Sequence, residues 1–385
     1  MSDRGGVPDQ PIDVLLADAS RHATIALAVA HGLDEVAGVR LHVLADTRWG
    51  PLTWSTLRET FTVAELDTDA KWLAAIEHTV GVKDIDVILT VSEPGGEFVA
   101  RHREELEGLA LVAPVPSPDV FSVAINKGRV TAFAAQLGML VPRTLDVAAA
   151  ALDDGSLAAA LDDLTLPVLL KPTGMSAGRG IRQFVTASEL LDHLGELPAI
   201  GDDALIIQEI VEGDDLCCSV LCAPGGDVVA HSTFQGLTDI EGRYAPWSRM
   251  SFSENFEAVE RVQYLTRQLG WEGPANVDFI RRADGEYVLL EFNGRYDGEA
   301  TGSMMAGVNF PKLHLELAFG MPVSQPRYHP GPHLSIRGVF DAVGCRLRGE
   351  ASAPFRYRET TLPLVLAHPV SHAVRIITDR LRRRR

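Results

Sequence analysis

The chain is short of several things that mark whole classes of protein. It has four cysteines in 385 residues, at Cys217, Cys218, Cys222 and Cys345. None belongs to a CxxC pair. Neighbours on a strand point to opposite faces, so Cys217 and Cys218 make a poor disulfide or metal framework. Small buried thiols in a reducing cytosol are the simpler expectation, and a cytoplasmic location follows from it. Positive charge is in deficit, with 35 Lys+Arg against 52 Asp+Glu and a formal net charge of −17. That balance argues against a general nucleic-acid binder, which carries a basic face. It leaves room for a local positive pocket that holds a nucleotide. No apolar run approaches the roughly 20 residues of a membrane helix. The opening MSDRGGVPDQP lacks an apolar h-region, so neither a membrane span nor a signal peptide is expected. Two phosphate-binding signatures are missing as well. No GxGxxG follows the first strand, which weakens a dinucleotide fold, and no GxxxxGK[ST] occurs, which excludes a P-loop.

What is present is a globular composition, 46% hydrophobic and 23% charged, long enough for two or three packed domains. Residues 12–17, 40–45 and 86–91 read as strands, with helical periodicity over 22–37. This alternation predicts a parallel α/β sheet. Pro114, Pro116 and Pro118 mark a linker. A helix is predicted from Asn126 to Leu137, where Gly138 can cap it, followed by an extended segment over 141–147. A small α+β unit comes next: helix 154–163, strand 167–171, a Gly-rich turn, strand 181–185, helix 187–195 and strand 204–209. Gly213 and the pair Asp214–Asp215 break the pattern. Strands then run to 232, with a helix over 254–269 and a hairpin over 275–293. The domain limits drawn from this are 1–118, 119–209, 210–325 and a C-terminal extension, 326–385.

The most informative segment is GPANVDFIRRADGEYVLLEFNGR, residues 273–295. Asp284-Gly285 between two β-like runs is a strong hairpin signal. A two-residue turn pairs 283 with 286, 281 with 288 and 278 with 291. Asp278 and Glu291 become cross-strand partners with Cβ atoms roughly 5 Å apart. Asn293 shares their face, and Val277, Phe279, Val288, Leu290 and Phe292 form the core-facing stripe. Two adjacent carboxylates repel unless a cation lies between them. With an amide oxygen alongside, Asp278, Glu291 and Asn293 make a hard oxygen site suited to Mg2+. The bland alternative is a solvated hairpin face, reached if the register slips by one residue.

LPVLLKPTGMSAGRGI, residues 166–181, is a strand, a lysine, a Gly-rich turn and a second strand. Gly174, Gly178 and Gly180 let backbone N–H groups approach a phosphate. Lys171 supplies a point charge, and Lys127 sits at a helix start, where the dipole favours anions. The same loop contains Gly174-Met175-Ser176-Ala177-Gly178, a GxSxG match to the nucleophile elbow of serine hydrolases. That elbow requires strand–turn–helix, and the pattern here is strand–turn–strand.

Together these residues resemble the ATP-grasp superfamily over about 114–325. NKGRVTAFAAQLGMLVPRT is similar to its central helix segment, LLKPTGMSAGRGI to its lysine and lid loop, IIQEIVEGDD to its adenine hinge, and VDF…LLEFNGR to its metal and catalytic segment. The hinge, the hairpin and AGVNFPKL (306–313) look most like predicted carboxylate–amine ligases. The resemblance implies an N-terminal parallel α/β domain, a small α+β lid domain and a larger α+β C-terminal domain. It also implies ATP and Mg2+ as cofactors. Lys127 and Lys171 would contact the α- and β-phosphates, and the loop with Gly174, Ser176, Gly178 and Gly180 would close over the β- and γ-phosphates. Gln208 would lie beside adenine, Glu209 and Val211 would offer backbone groups, and Asp215 would accept from the ribose. Asp278, Glu291 and Asn293 would hold one or two Mg2+. Arg295 and Lys171 would serve catalysis, Arg295 by steadying the γ-phosphate and the carboxylate being activated.

Asn276 stands where several peptide-ligase branches carry an arginine. Arg243 or Arg249, flanking Tyr244 and Trp247, can supply that charge from the 236–250 segment, which can equally be a surface loop. The implied reaction is amide formation from a small-molecule carboxylate and an amine through an acyl phosphate. Transfer to a thiol, kinase-like phosphotransfer and a non-catalytic nucleotide-binding regulator are the alternatives. The C-terminal Arg382–Arg385 run reads as a solvated tail. SHAVRIITDRL before it is suited to pack on the core or on a partner subunit, which leaves a homodimer open.

Overall fold

A computed structural model of the protein describes residues 11–20, 22–147, 156–174, 180–196, 205–237, 247–324, 326–351 and 354–382. Among these residues the strands form three sheets. The first is parallel, in the order β3-β2-β1-β4-β5, from β1 (Ile12–Leu16), β2 (Val39–Ala45), β3 (Thr60–Val63), β4 (Val87–Leu89) and β5 (Leu111–Val112). Every residue of β1 is buried, as a strand covered by helices on both faces requires. Those helices are α1 (Ala23–Asp34), α2 (Asp69–Lys83), α3 (Glu93–Arg101) and α4 (Arg103–Glu107). Ser92 starts α3 by accepting the Gly95 N–H on its hydroxyl at 3.1 Å, with Pro94 in the first turn.

Two helices, α5 (Pro118–Ala124) and α6 (Lys127–Gln136), lead to the second sheet. Asn126 caps α6 by accepting the Arg129 N–H at 3.0 Å, so the predicted start at Asn126 is where the helix begins. The second sheet is antiparallel, ordered β6-β9-β7-β8, from β6 (Thr144–Asp146), β7 (Val168–Pro172), β8 (Arg182–Phe184) and β9 (Leu205–Glu209). Helices α7 (Ser156–Leu161) and α8 (Ala187–Glu196) cover one face around a small core of Val147, Val168, Leu170, Phe184 and Ile207.

The third sheet is ordered β14-β13-β10-β11-β12-β15. Its strands are β10 (Asp214–Cys222), β11 (Val228–Gly236), β12 (Arg249–Ser253), β13 (Gly273–Arg281), β14 (Tyr287–Asn293) and β15 (Gly331–Leu334). Helix α9 (Phe256–Leu269) packs on one face through Ala258, Val262 and Leu265. Asp214 and Asp215 open β10 rather than interrupting the strand pattern. Gly213, at φ +150°, leaves no room for a Cβ, which would lie 2.3 Å from the Arg281 carbonyl.

The C-terminal segment is built into this body. β15 pairs with β12, and Leu334 bridges to Thr360. After α10 (Ala300–Met305) and α11 (Phe310–Ala318), the last helices are α12 (Ile336–Leu347), α13 (Leu362–Ala367) and α14 (Pro369–Arg382). SHAVRIITDRL lies in α14, whose Ser371 and His372 are buried. The Nε2 atoms of His372 and His31 of α1 lie 3.1 Å apart, so this helix packs on the N-terminal domain. Arg383–Arg385 lie outside the described residues. No helix among the described residues is long and apolar enough to cross a membrane.

Candidate active site

A cavity of about 480 Å³ lies between the second and third sheets, with His22 and Thr24 at the start of α1 also lining it. One wall comes from the second sheet through Leu169, Lys171, Ile206 and Gln208, and the floor from β10, β13 and β14. Helix α6 brings Lys127 to the same space at its first turn.

The floor owes its chemistry to the hairpin, and the register differs from expectation in an instructive way. The turn is not a two-residue one. The Arg282 N–H donates to the Glu286 carbonyl and the Gly285 N–H to the Arg282 carbonyl, a three-residue loop with Gly285 at φ +90°. Arg281 therefore faces Tyr287, and Phe279 faces Leu289. A β-bulge then takes up one residue, Leu290, and Asp278 faces Glu291 as expected. The bulge corrects the core stripe as well. Leu289 enters the core with Val277, Phe279 and Phe292, while Leu290 lines the cavity.

Asp278 is held on all sides. Its Oδ1 accepts from the Asn276 amide at 2.9 Å and from the Cys217 thiol at 2.9 Å. Its Oδ2 accepts from the Asn293 amide at 3.2 Å. Cys217 is thus more than an inert filler. Burial, together with the Glu291 carboxylate, pushes the Asp278 carboxyl up to about 7. Lys127 Nζ stands 3.0 Å from Glu291 Oε1. Two carboxylates and an amide oxygen are a donor set for a hard cation that keeps other ligands from phosphate or water. Among the described residues no three His, Cys, Asp or Glu side chains gather as a metal cage.

Arg295 follows on the same face. Its Nη2 donates to Asn293 Oδ1 at 3.1 Å and its Nη1 to the Tyr296 carbonyl at 3.0 Å. Glu93 of α3 lies 3.9 Å from its Nε, and burial raises the Glu93 carboxyl. On the opposite wall the Lys171 ammonium donates to Gln208 Oε1 at 2.6 Å, and the Gln208 amide donates to the Thr144 hydroxyl at 3.0 Å. Burial holds Lys171 down at about 8, with Lys127 adding to the effect against the pull of Glu291.

The fold has counterparts among known proteins. The family model described as "ATP-grasp in the biosynthetic pathway with Ter operon" matches residues 202–339. The structure superposes on an ADP complex of N5-carboxyaminoimidazole ribonucleotide synthetase with a TM-score of 0.67, at 18% identity over 90% of this chain and 86% of that one. The chain has the ATP-grasp fold. It also superposes on an L-amino acid ligase from Bacillus licheniformis with a TM-score of 0.61, at 15% identity over 82% of this chain and 75% of that one. In sequence it is 26% identical to a D-alanine–D-alanine ligase from Desulfotalea psychrophila over 172 residues, 40% of this chain and 53% of the relative. The chain spans from 7% to 60% of the length of five curated relatives it matches.

Within the ATP-grasp frame the expected residues fall into three groups. Lys127, Lys171, Gln208, Glu209, Val211, Asp215, Asp278, Glu291, Asn293 and Arg295 all line the one cavity. Gly174 and Gly180 are exposed and lie outside its lining. Ser176 and Gly178 fall outside the described residues. β8 follows the loop as a strand, so the strand–turn–helix context of a nucleophile elbow is not present. The Glu209 N–H is already spent on the Arg143 carbonyl, and its Oε1 accepts the Thr165 N–H at 2.7 Å. Of its main-chain groups the N–H is therefore not on offer to a base.

The 236–250 segment does not supply the extra charge from Arg249, which belongs to β12 and stands outside the cavity lining. Arg243 and Tyr244 lie outside the described residues. Arg337 and Arg375, from α12 and α14, line the cavity instead. Asp297 and Glu299 also line it and were not anticipated. Alternation could not have found them, because β14 ends at Asn293 and the chain from Gly294 to Glu299 is bend and turn.

Proposed function

We propose that the protein is an ADP-forming ligase that joins a small-molecule carboxylate to an amine, using ATP and Mg2+. The observation that carries this is the convergence of Lys127, Lys171, Asp278, Glu291, Asn293 and Arg295 on one cavity. Gln208, Val211 and Asp215 would hold the adenosine end, with the Glu209 carbonyl. Lys127 and Lys171 would hold phosphate oxygens. Asp278, Glu291 and Asn293 would hold Mg2+, and the fit is supported by the strain between the two carboxylates, which a divalent cation relieves. Bound there, Mg2+ supplies neutralisation of the charge on the phosphoryl group.

Arg295, which donates to Asn293 Oδ1, would orient the reacting carboxylate. An oxygen of that carboxylate attacks the γ-phosphorus, the bond to the bridging oxygen breaks, and ADP leaves. The amine then attacks the acyl carbon, phosphate departs, and the amine nitrogen gives up a proton. The loop between β7 and β8 would have to keep water from the acyl phosphate, which would otherwise hydrolyse. A pure nucleotide-binding regulator has little need of all four groups from Asp278 to Arg295. Three of the four free cysteines are buried, which suits a reducing cytosol. The test is release of ADP and phosphate with paired acids and amines. A ligase makes both products only when an amine is present and yields an amide by mass spectrometry. A kinase would phosphorylate its substrate without an amine, and a regulator would release nothing.

A further inference from the structure

Glu93 belongs to the N-terminal domain, on the first turn of α3, yet its carboxylate ends beside the acidic hairpin. A glutamate at a helix start is a favourable charge against the dipole and needs no other reason. Its contacts give it one. The Gly294 N–H donates to the carboxylate. Arg295 Nε stands 3.9 Å from its Oε1, the two side chains being only 11% and 22% exposed. Gly294 and Arg295 are the first residues beyond β14, which ends at Asn293. Glu93 therefore grips the chain where the strand gives way to irregular backbone.

The grip is fixed from behind. Asp18, fully buried just beyond β1, accepts from the Val91 N–H at 2.8 Å, from the Ser92 N–H at 2.9 Å and from the Ser92 hydroxyl. Gly95 lies so close that a Cβ there would meet Asp18 Oδ2 at 2.1 Å. Farther along α3, Phe98 stacks on Trp72 with ring centroids 4.2 Å apart. Capped, packed and stacked in this way, α3 presents Glu93 at one position.

Arginine carries donors on all three guanidinium nitrogens. In Arg295, Nη2 donates to Asn293 Oδ1 and Nη1 to the Tyr296 carbonyl, and Nε is turned toward Glu93. Among the described residues, one N–H on each terminal nitrogen is left for the oxygens of a ligand, the paired mode in which arginine takes carboxylate or phosphate. We infer that Glu93 is a positioning residue: from the N-terminal domain it fixes the Arg295 guanidinium in the orientation that receives the reacting carboxylate. The inference rests on the ligase assignment and adds a part for the N-terminal domain in the reaction.

The test compares Glu93→Gln and Glu93→Asp with the wild-type protein. Glu93→Gln keeps the shape of the side chain and an acceptor for the Gly294 N–H, and loses the charge facing Arg295. It is expected to lower kcat/KM for the carboxylate by about tenfold or more, with the Kd for ADP within about threefold and the unfolding midpoint unchanged. Glu93→Asp keeps the charge on a shorter stem and should recover part of the rate. In an Arg295→Lys background, Glu93→Gln should cost less than about threefold, because the guanidinium it acts through is gone. The Nε–H resonance of Arg295, identified by its absence in Arg295→Lys, needs no turnover. It should shift in Glu93→Gln while the other arginine Nε–H resonances stay in place. Full turnover in Glu93→Gln, a loss matched by ADP affinity or the unfolding midpoint, an equal loss in the Arg295→Lys background, or an unmoved Arg295 resonance would overturn the inference. A wild-type protein without amine-dependent turnover would remove the ligase assignment instead, and the resonance would still decide whether Glu93 holds Arg295.

Discussion

Lys127 Nζ lies 3.0 Å from Glu291 Oε1, joining the first turn of the central helix to the acidic hairpin. The lysine occupies the side of the hairpin from which a polyphosphate would approach, and it partly neutralises a carboxylate pair that would otherwise repel. Nucleotide and metal would then have to rearrange this contact together, the lysine turning to phosphate as the cation takes the carboxylates.

Removing either lysine should therefore weaken nucleotide binding. Lys127→Ala and Lys171→Ala are each expected to cost about 1–3 kcal/mol in ATP affinity, the scale of a charge-assisted contact. Calorimetry with Mg2+-ATP measures this directly. Unchanged affinity in both variants would put the phosphates elsewhere.

The pH dependence follows from Lys171, which burial holds at about 8 against an ordinary 10.5. Its folded value lies below its unfolded one, so between these values the unfolded chain binds the extra proton. The ligand-free protein should gain stability from this group as pH rises through that window, and carry the full penalty below it. Phosphates arriving at Lys171 favour the ammonium. ADP binding at pH 9 should take up a proton and weaken as pH rises further. Calorimetry in buffers of different ionisation enthalpy counts that proton. Lys171→Met should lose the uptake, and a wild-type protein that takes up none would leave Lys171 out of the phosphate site.

The bulge at Leu290 gives a test that separates packing from binding. Leu289 is fully buried, and Leu289→Ala should cost about 2–5 kcal/mol in unfolding free energy. Leu290 lines the cavity, so Leu290→Ala should cost less stability and lower ADP affinity by about 1–2 kcal/mol, the scale of a buried leucine contact. Denaturant melts and ADP titrations of the two variants decide it. The reverse pattern would mean that the register continues unbulged.

How far the sequence could be read depended on how local the cause was. The cap at Asn126, the strand either side of the glycine turn and the pairing of Asp278 with Glu291 follow from residues close together in the chain. Even there, the two-residue turn was wrong by one residue and the bulge at Leu290 restored the register. Nothing in a single-strand pattern announces either, because both answer to the packing of Leu289 against the core. Glu93, Arg337 and Arg375 were beyond reach for a different reason. Each arrives from an element whose position depends on long-range docking: α3 on the first sheet, α12 directly after β15 on the edge of the third, and α14 against His31. Asp297 and Glu299 lie past the end of β14 at Asn293, in bend and turn, where strand alternation no longer says which way a side chain points.

The most direct test of the central claim is amine-dependent ADP release in the wild-type protein and in Glu291→Gln. The wild-type protein should convert ATP, a carboxylate and an amine to ADP, phosphate and an amide in equal amounts. Glu291→Gln keeps the shape of the side chain and the adenosine wall, so it should still bind ADP while turnover falls below about one part in a hundred, the scale of a lost electrostatic contribution to the transition state. Full turnover in Glu291→Gln, or cleavage of esters by the wild-type protein without ATP, would contradict the account.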